Sequence, residues 1–217
     1  MSQRSLRKGL PVFFAGLGVL LLIIAPKIGL LSSDAAKAQS VTRFAGPTKS
    51  GPLALNADDT LLAVANPDAN TVSLFDVGGD RNLPLGEIAV GQEPNGVVVS
   101  PDGKTVYVAN TLDGTVSVLT VDQAQQPVAT VIATLVVGTE PYGIALTPNG
   151  QKAYVTNARS NSVSVIDTAS NTVIKTITNI GPSVGAEPRG IAITNNGNDS
   201  DTDETVYITH FYSFANQ

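Results

Sequence analysis

The stretch Gly91-Gln92-Glu93-Pro94-Asn95-Gly96 occurs in two further versions along this chain of 217 residues. The same G-x-E-P-x-G phrase returns at Gly138–Gly143 and at Gly185–Gly190, so each copy lies 47 residues after the previous one. A period of roughly 20 to 50 residues indicates a copied supersecondary unit whose copies bury their apolar faces against their neighbours. Any functional site must therefore be sought on the assembled array.

Each copy contains four short segments with the composition of β-strands. The first is an apolar run such as Val97–Val99, and a turn signal such as Ser100–Gly103 follows it. The second, such as Val106–Asn110, is rich in β-branched and aromatic residues and ends in Asn. The third alternates apolar and polar residues as in Thr115–Val118, and a fourth, Ala129–Val137, closes the unit. Four short strands without an amphipathic helix predict one blade of an all-β propeller.

These segments also resemble the YVTN-type β-propeller repeat family. Tyr154-Val155-Thr156-Asn157 is the tetrapeptide that gives the family its name, and Tyr107–Asn110 and Tyr207–His210 are close variants. The resemblance covers about residues 50–212 and implies a propeller fold. It also implies kinship with exported bacterial proteins, archaeal surface-layer propellers and, more distantly, lactonase-like and quinoprotein-like enzymes.

The repeats predict three complete blades and part of a fourth. We place them at about 51–91, 92–138, 139–185 and 186–217, preceded by a linker or ring-closing strand at 39–50. Propellers usually close with about four to eight blades, and the resemblance implies seven. About three and a half blades therefore predict the front part of a longer protein. A chain that self-associates to complete the ring is the alternative.

The first 38 residues have the features of a secretory signal peptide. Arg4, Arg7 and Lys8 precede the apolar stretch Leu10–Ala25, and an A-x-A cleavage pattern ends at Ala38. An uncleaved membrane anchor is the alternative, because the apolar stretch is a little shorter than the roughly 20 residues that span a bilayer. In either case the sequence predicts export to the periplasm, the medium or the cell surface, with membrane contact only through an uncleaved anchor.

Charge and cysteine content exclude several classes of partner and cofactor. The chain has no cysteine, which excludes disulfides, a lipid-carrying Cys and covalent c-type haem. Five of the 13 basic residues and one of the 18 acidic residues lie in the leader, so the processed chain has 8 against 17 and a net charge of -9. A net negative charge of this size repels phosphate backbones and disfavours nucleic-acid binding.

Propeller geometry places the connection into the innermost strand and the turn after the second strand on one face. On this loop-bearing face we expect an acidic and amide-rich collar formed by Glu93, Glu140, Glu187, Asn110 and Asn157. Its functional interpretation is a cation or polar-ligand site. Its structural interpretation, favoured because the phrase recurs from blade to blade, is that Pro holds Glu in extended geometry while Gly permits close approach at the axis.

An acidic insertion breaks the repeat in the fourth copy. Asp199, Asp201 and Asp203 stand at alternate positions, as carboxylates do in calcium loops. Glu204 occupies the place where an EF-hand has Gly, so a solvated acidic hairpin is the alternative to a calcium site. The hairpin is predicted on the face away from the collar.

The single histidine, His210, also breaks the repeat, since the other copies have Asn at this position. No acid, nucleophile or second ligand accompanies it in the sequence, which argues against a catalytic role. The following residues are aromatic, and loops that deviate from a repeat often carry binding. His210 and Tyr212 are therefore predicted to contact a partner.

Three hypotheses for the function follow from the sequence. The favoured one is an exported, non-enzymatic propeller that binds a protein, peptide or glycan through its loop-bearing face, because regular repeats contain no assembled catalytic group. The resemblance implies the second, a lactonase-like or quinoprotein-like enzyme whose collar would hold a metal or cofactor. The third is a truncated product without independent activity. No catalytic residue is assigned, and calcium is the one cofactor considered.

Overall fold

A computed structural model describes residues 52–126, 128–180, 186–197 and 200–212. All of them belong to one compact unit, Phe44–Gln217. The predicted signal peptide and the predicted linker at 39–50 lie outside the described residues, as does Asp199 of the acidic insertion.

In this part of the chain, 14 β-strands form four antiparallel sheets, which we call blades 1 to 4. Blade 1 consists of β1 (Leu53–Leu55), β2 (Leu61–Asn66), β3 (Thr71–Asp76) and β4 (Leu83–Ala89). Blade 2 consists of β5 (Pro94–Val99), β6 (Thr105–Asn110), β7 (Thr115–Val121) and β8 (Ala129–Val136). Blade 3 consists of β9 (Pro141–Leu146), β10 (Lys152–Asn157), β11 (Ser162–Asp167) and β12 (Thr172–Thr178). Blade 4 contains β13 (Ala186–Ile193) and β14 (Val206–Tyr212).

Every blade is a meander in which each strand pairs with the next strand along the chain. The first strands of consecutive blades contact one another, β5 with β9 and β9 with β13, so the first strand is the innermost strand of its blade. This arrangement confirms the prediction of an all-β propeller with four-stranded antiparallel blades. No helix in the described residues is long and apolar enough to cross a membrane.

Turn chemistry explains where the strands reverse. The turns between the second and third strands contain Asn70, Gly114 and Asn161 at φ values of 58°, 66° and 46°. The turns between the first and second strands of blades 2 and 3 contain Gly103 and Gly150 at 70° and 72°. Glycine and asparagine adopt this left-handed conformation at little cost, so the turn residues fix the length of each strand.

The core lies between the blades, and blade 2 is covered on both faces. Val106 and Val108 of β6 pack against blade 1, whereas Tyr107 and Ala109 of the same strand pack against blade 3. Successive side chains of a strand point to opposite faces of its sheet, so one strand joins two core clusters. On blade 4, Tyr207 stands where blade 2 has Tyr107, and their exposed fractions are 63% and 2%.

Candidate functional site

The connections that enter β5 and β9 form backbone hydrogen bonds with the turns after the second strands of the same blades. Glu93 and Glu140, the residues before the prolines, both have φ of 53°. The Glu93 carbonyl accepts a hydrogen bond from the Thr111 N–H at 3.0 Å, and the Glu140 carbonyl accepts one from the Ala158 N–H at 2.8 Å. The extended geometry expected for these two residues is therefore wrong, because a left-handed turn is what directs their carbonyl groups towards the neighbouring turn.

Glu187 differs from its two counterparts because it lies inside a strand. It belongs to β13, opposite Phe211 of β14, and its Oε2 is 3.1 Å from Nη2 of Arg189. Glu93 and Glu140 precede their strands. The three glutamates therefore share the loop-bearing face without sharing one backbone geometry.

The asparagines at the ends of the second strands have their amide groups inside the blades. Each Nδ2 donates to two hydroxyl groups of the adjacent third strand. The sets are Asn66 with Thr71 and Ser73, Asn110 with Thr115 and Ser117, and Asn157 with Ser162 and Ser164. Asn110 and Asn157 are fully buried. The amide part of the expected collar is thus absent from the surface, because these side chains link the second strand to the third.

The last glycine of the phrase lies where consecutive blades approach most closely. A Cβ at Gly96 would be 2.2 Å from the Tyr142 carbonyl oxygen, and a Cβ at Gly143 would be 2.2 Å from the Arg189 carbonyl oxygen. The Thr156 hydroxyl donates to the same Arg189 oxygen at 2.8 Å. Only a residue without a side chain allows this approach, so the backbone of each blade positions the fifth residue of the next phrase.

That fifth position varies between copies, as the second position does, and in blades 2 and 4 its side chain contacts the residue after the second-strand Asn or His. The contacts are Asn95 with Thr111 in blade 2 and Arg189 with Phe211 in blade 4. Blade 3 has Tyr142 and Ala158 at the two positions. In blade 2 the pair is an amide and a hydroxyl, with Asn95 Nδ2 donating to Thr111 Oγ1 at 2.9 Å. In blade 4 a guanidinium lies against a ring. This position gives the repeats different chemistry on one backbone frame.

Four side chains meet around the cation of blade 4, and we call them the Arg189 cluster: Tyr142, Glu187, Arg189 and Phe211. The Arg189 Cζ atom lies 5.0 Å from the centroid of the Tyr142 ring and 4.9 Å from that of the Phe211 ring. Both distances are within the range of cation–π attraction. Arg189 Nε is buried without a hydrogen-bond partner among the described residues, although 37% of the side chain is exposed. The cluster therefore holds a guanidinium, ion-paired with Glu187, on the loop-bearing face.

The sequence identified Glu187 of this cluster but did not bring the other three residues together. Arg189 and Tyr142 belong to two different copies of the phrase, and Phe211 lies in β14. The signal that could have found two of them is the fifth position of the phrase, which differs in every copy. Both of its aromatic and charged variants, Tyr142 and Arg189, belong to the cluster.

His210 and Tyr212 occupy the end of β14. His210 pairs with Pro188 and Tyr212 with Ala186 in the register of the two strands. His210 is half-buried, and its side chain points to the opposite sheet face from that of its neighbour Phe211. The Tyr212 side chain lies outside the described part of the chain. Contact of His210 and Tyr212 with a partner stays a prediction.

The acidic insertion lies between β13 and β14, on the face opposite the loop-bearing face. Asp201 Oδ2 is 3.1 Å from Lys152 Nζ, and Asp203 Oδ2 accepts a hydrogen bond from Asn196 Nδ2 at 2.8 Å. Within the described ranges, no three His, Asp or Glu side chains come together as a metal-binding group. Calcium binding, which would involve Asp199, stays a prediction.

Buried and hydrogen-bonded titratable groups also lie on this opposite face. Burial raises the pKa of the Tyr107 phenol, whose Oη is 3.3 Å from Asn171 Oδ1. The Ser100 hydroxyl, at 2.7 Å, lowers the pKa of the Asp102 carboxyl. Both residues line a shallow cleft of about 320 Å³ between blades 2 and 3. The Asp102 bond lies within one turn of blade 2, whereas the Tyr107 bond links blade 2 to blade 3.

A family model described as "Lactonase, 7-bladed beta-propeller" matches residues 82–186. The match spans the last strand of blade 1 and the whole of blades 2 and 3. A search of curated proteins finds no match. The family model indicates a seven-bladed propeller, as the family resemblance implies.

Solved structures with similar folds include enzymes and a protein of unknown function. Hydrazine synthase of Kuenenia stuttgartiensis is 27% identical, with a TM-score of 0.56, over 70% of this chain and 41% of its own. A Bacteroides fragilis protein provisionally identified as a 6-phosphogluconolactonase is 25% identical, with a TM-score of 0.53, over 59% and 39%. A functionally unknown protein from Desulfotomaculum acetoxidans is 20% identical, with a TM-score of 0.52, over 76% and 47%. The chain thus spans less than half the length of each.

These similarities overturn one prediction. The favoured hypothesis of a non-enzymatic binding propeller is wrong, because the lactonase family model and the Bacteroides fragilis structure both favour the lactonase-like alternative. Regular repeats do not argue against an enzyme, since side chains can differ between blades while the repeat phrase stays intact. The chain folds as part of a β-propeller that is similar, over residues 82–186, to the seven-bladed lactonase propellers.

Proposed function

We propose that this chain forms part of a lactonase-like propeller enzyme that hydrolyses the ester bond of a lactone. The observation that carries the proposal is the match of residues 82–186 to the lactonase family model. The similarity to the Bacteroides fragilis protein supports it. The Arg189 cluster is the proposed location of the reaction, because it combines a guanidinium and a carboxylate with two rings on the loop-bearing face.

Lactone hydrolysis has a chemical requirement that the cluster suits. Water adds to the carbonyl carbon, negative charge develops on the carbonyl oxygen, and the ring C–O bond then breaks to give a hydroxy acid. A preorganised cation or N–H donor at that oxygen stabilises the transition state. Arg189 is the proposed donor, and Glu187 holds it through the contact of 3.1 Å between Oε2 and Nη2.

The proposal is tested by hydrolysis of a panel of lactones with the purified chain. Arg189→Gln removes the charge and is expected to lower kcat by about 100-fold or more, as loss of an oxyanion donor does. Arg159→Gln is the matched control, because Arg159 is an exposed arginine in the turn after β10. Absence of hydrolysis across the panel, or equal rates for wild type and Arg189→Gln, would overturn the proposal.

We further propose that the repeats are of the YVTN type and that the protein is exported. Tyr154-Val155-Thr156-Asn157 supports the repeat type. The basic residues before Leu10–Ala25 and the pattern ending at Ala38 support export. An exported lactonase would meet its substrate outside the cytoplasm.

A further inference from the structure

The cation of blade 4 lies between two rings from two blades. Tyr142 occupies the fifth position of the preceding phrase, and Phe211 stands where blade 3 has Ala158. Their ring centroids lie 5.0 and 4.9 Å from the Arg189 Cζ atom. In blade 2 the equivalent pair is held by a hydrogen bond between Asn95 and Thr111. Ring contacts thus take the place of a hydrogen bond at the repeat position that carries the charge.

The hydrogen bonds of Arg189 define which of its donors can reach a ligand. Nη2 contacts the Glu187 carboxylate at 3.1 Å, and Nε is buried without a partner among the described residues. Because the side chain is nevertheless 37% exposed, the donors left for a ligand are the remaining N–H groups of the two terminal nitrogens. A guanidinium presents such groups as a planar fork, which suits carboxylate and phosphate oxygens.

We propose that Tyr142 and Phe211 are positioning residues that hold the Arg189 guanidinium in one orientation, with its terminal N–H groups directed to an oxyanion group of the ligand. The inference rests on the proposed function for the reaction, but its binding step is independent of hydrolysis. An arginine without the rings would sample several rotamers and would lose entropy on binding. The rings remove that cost before the ligand arrives.

Phe211 lies outside the two core clusters of the described residues. Its ring centroid is 4.9 Å from the Arg189 Cζ atom, which is the contact that the proposed positioning role requires.

The chain contains no tryptophan, so Phe211→Trp would introduce a single fluorophore against the guanidinium. Titration of the full-length variant with inorganic phosphate is expected to change its emission in a saturable way. The same titration of Phe211→Trp with Arg189→Gln is expected to give no change, and Phe211→Trp with Arg159→Gln is the matched control. A flat titration of Phe211→Trp would overturn the inference.

Calorimetric titration with phosphate then separates orientation from folding. Phe211→Leu, which keeps apolar bulk without a π face, is expected to weaken phosphate binding about fivefold to tenfold. Phe211→Tyr and Phe211→Trp are expected to restore it. Equal affinities of the Leu, Tyr and wild-type proteins would overturn the inference, and thermal melting shows whether the Leu variant is folded. If it is not, the comparison of Tyr142→Leu with Tyr142→Phe decides in the same way.

The two proposals fail separately. Phosphate binding that depends on Arg189 and on the two rings, without hydrolysis of any lactone, supports the positioning role of Tyr142 and Phe211 and overturns the lactonase proposal. If Phe211→Leu hydrolyses a lactone with the wild-type kcat/KM and binds phosphate with the wild-type affinity, the positioning role is overturned and the lactonase proposal is supported. If both hold, the Leu variant is expected to lower kcat/KM by a factor similar to its loss of phosphate affinity.

Discussion

At the scale of single residues, the G-x-E-P-x-G phrase is a set of backbone requirements around two variable positions, the second and the fifth. Glu93 and Glu140 adopt a left-handed conformation, and the final glycine admits the carbonyl of the next blade. Close approach at the glycine is what the sequence predicts. The sequence does not predict the left-handed glutamates, since residues before proline usually prefer extended backbone. The hydrogen bond that overrides this preference comes from another segment.

Gly96→Ala is expected to destabilise the protein by about 3 kcal/mol, because its Cβ would lie 2.2 Å from the Tyr142 carbonyl oxygen and the two blades would have to separate. Urea unfolding followed by circular dichroism measures the change. Gly86→Ala in β4 is the control, since its Cβ would meet only a methyl group of Val128 at 3.4 Å. Similar losses for both variants would show that the contact with Tyr142 is not the cause.

At the scale of elements, the blades are joined by the second strand as well as by the core. Tyr107 of β6 donates from its phenol to Asn171, in the turn between β11 and β12, at 3.3 Å. The tyrosine of the repeat tetrapeptide thus links one blade to the outer hairpin of the next. Composition alone could predict the strand around Tyr107, but the partner lies 64 positions away and is set by how adjacent blades stack.

Tyr107→Phe is expected to lower the free energy of unfolding at pH 7 by about 1 kcal/mol through loss of this hydrogen bond. The free energy of unfolding at alkaline pH gives a second readout. Burial raises the pKa of Tyr107 in the folded state, so its contribution to stability is complete below the unfolded value of about 10 and is lost as pH rises through the folded value. The Phe variant should therefore lose stability less steeply above pH 10.

The control for this prediction is Tyr207→Phe, whose ring is 63% exposed. Denaturant unfolding of the three proteins at pH 7, 9, 10 and 11 gives the comparison. An alkaline slope of Tyr107→Phe that equals the wild-type slope would contradict the assignment of this loss to Tyr107.

At the scale of the whole molecule, the repeat period was sufficient to predict a propeller and to place each of the four strands of a blade. The strand bounds depend on local turn residues such as Gly103 and Gly150, which is why they could be predicted from nearby sequence. The Arg189 cluster could not be predicted in this way. It combines one residue from blade 3 with three from blade 4, and its contacts depend on the spacing between blades and on the β-bulge between Pro188 and Ile191.

The export proposal belongs to this scale because it concerns the whole chain. Expression in a bacterial host with a secretion pathway is expected to yield a protein that begins at Gln39, since the A-x-A pattern ends at Ala38. N-terminal sequencing of the fractionated protein measures this. A chain that keeps its apolar leader in the membrane fraction would favour the anchor, and an unprocessed chain in the cytoplasm would contradict export.

The fixed glycine and the free fifth position have a consequence for how such proteins diversify. Copying a blade copies its backbone contacts, while the side chain at the fifth position can be exchanged without changing strand lengths or turns. Asparagine, tyrosine and arginine already occupy it in three successive copies. Single substitutions at this position can therefore change the chemical preference of a blade. A designed repeat protein could use the same fixed glycine with a variable fifth residue.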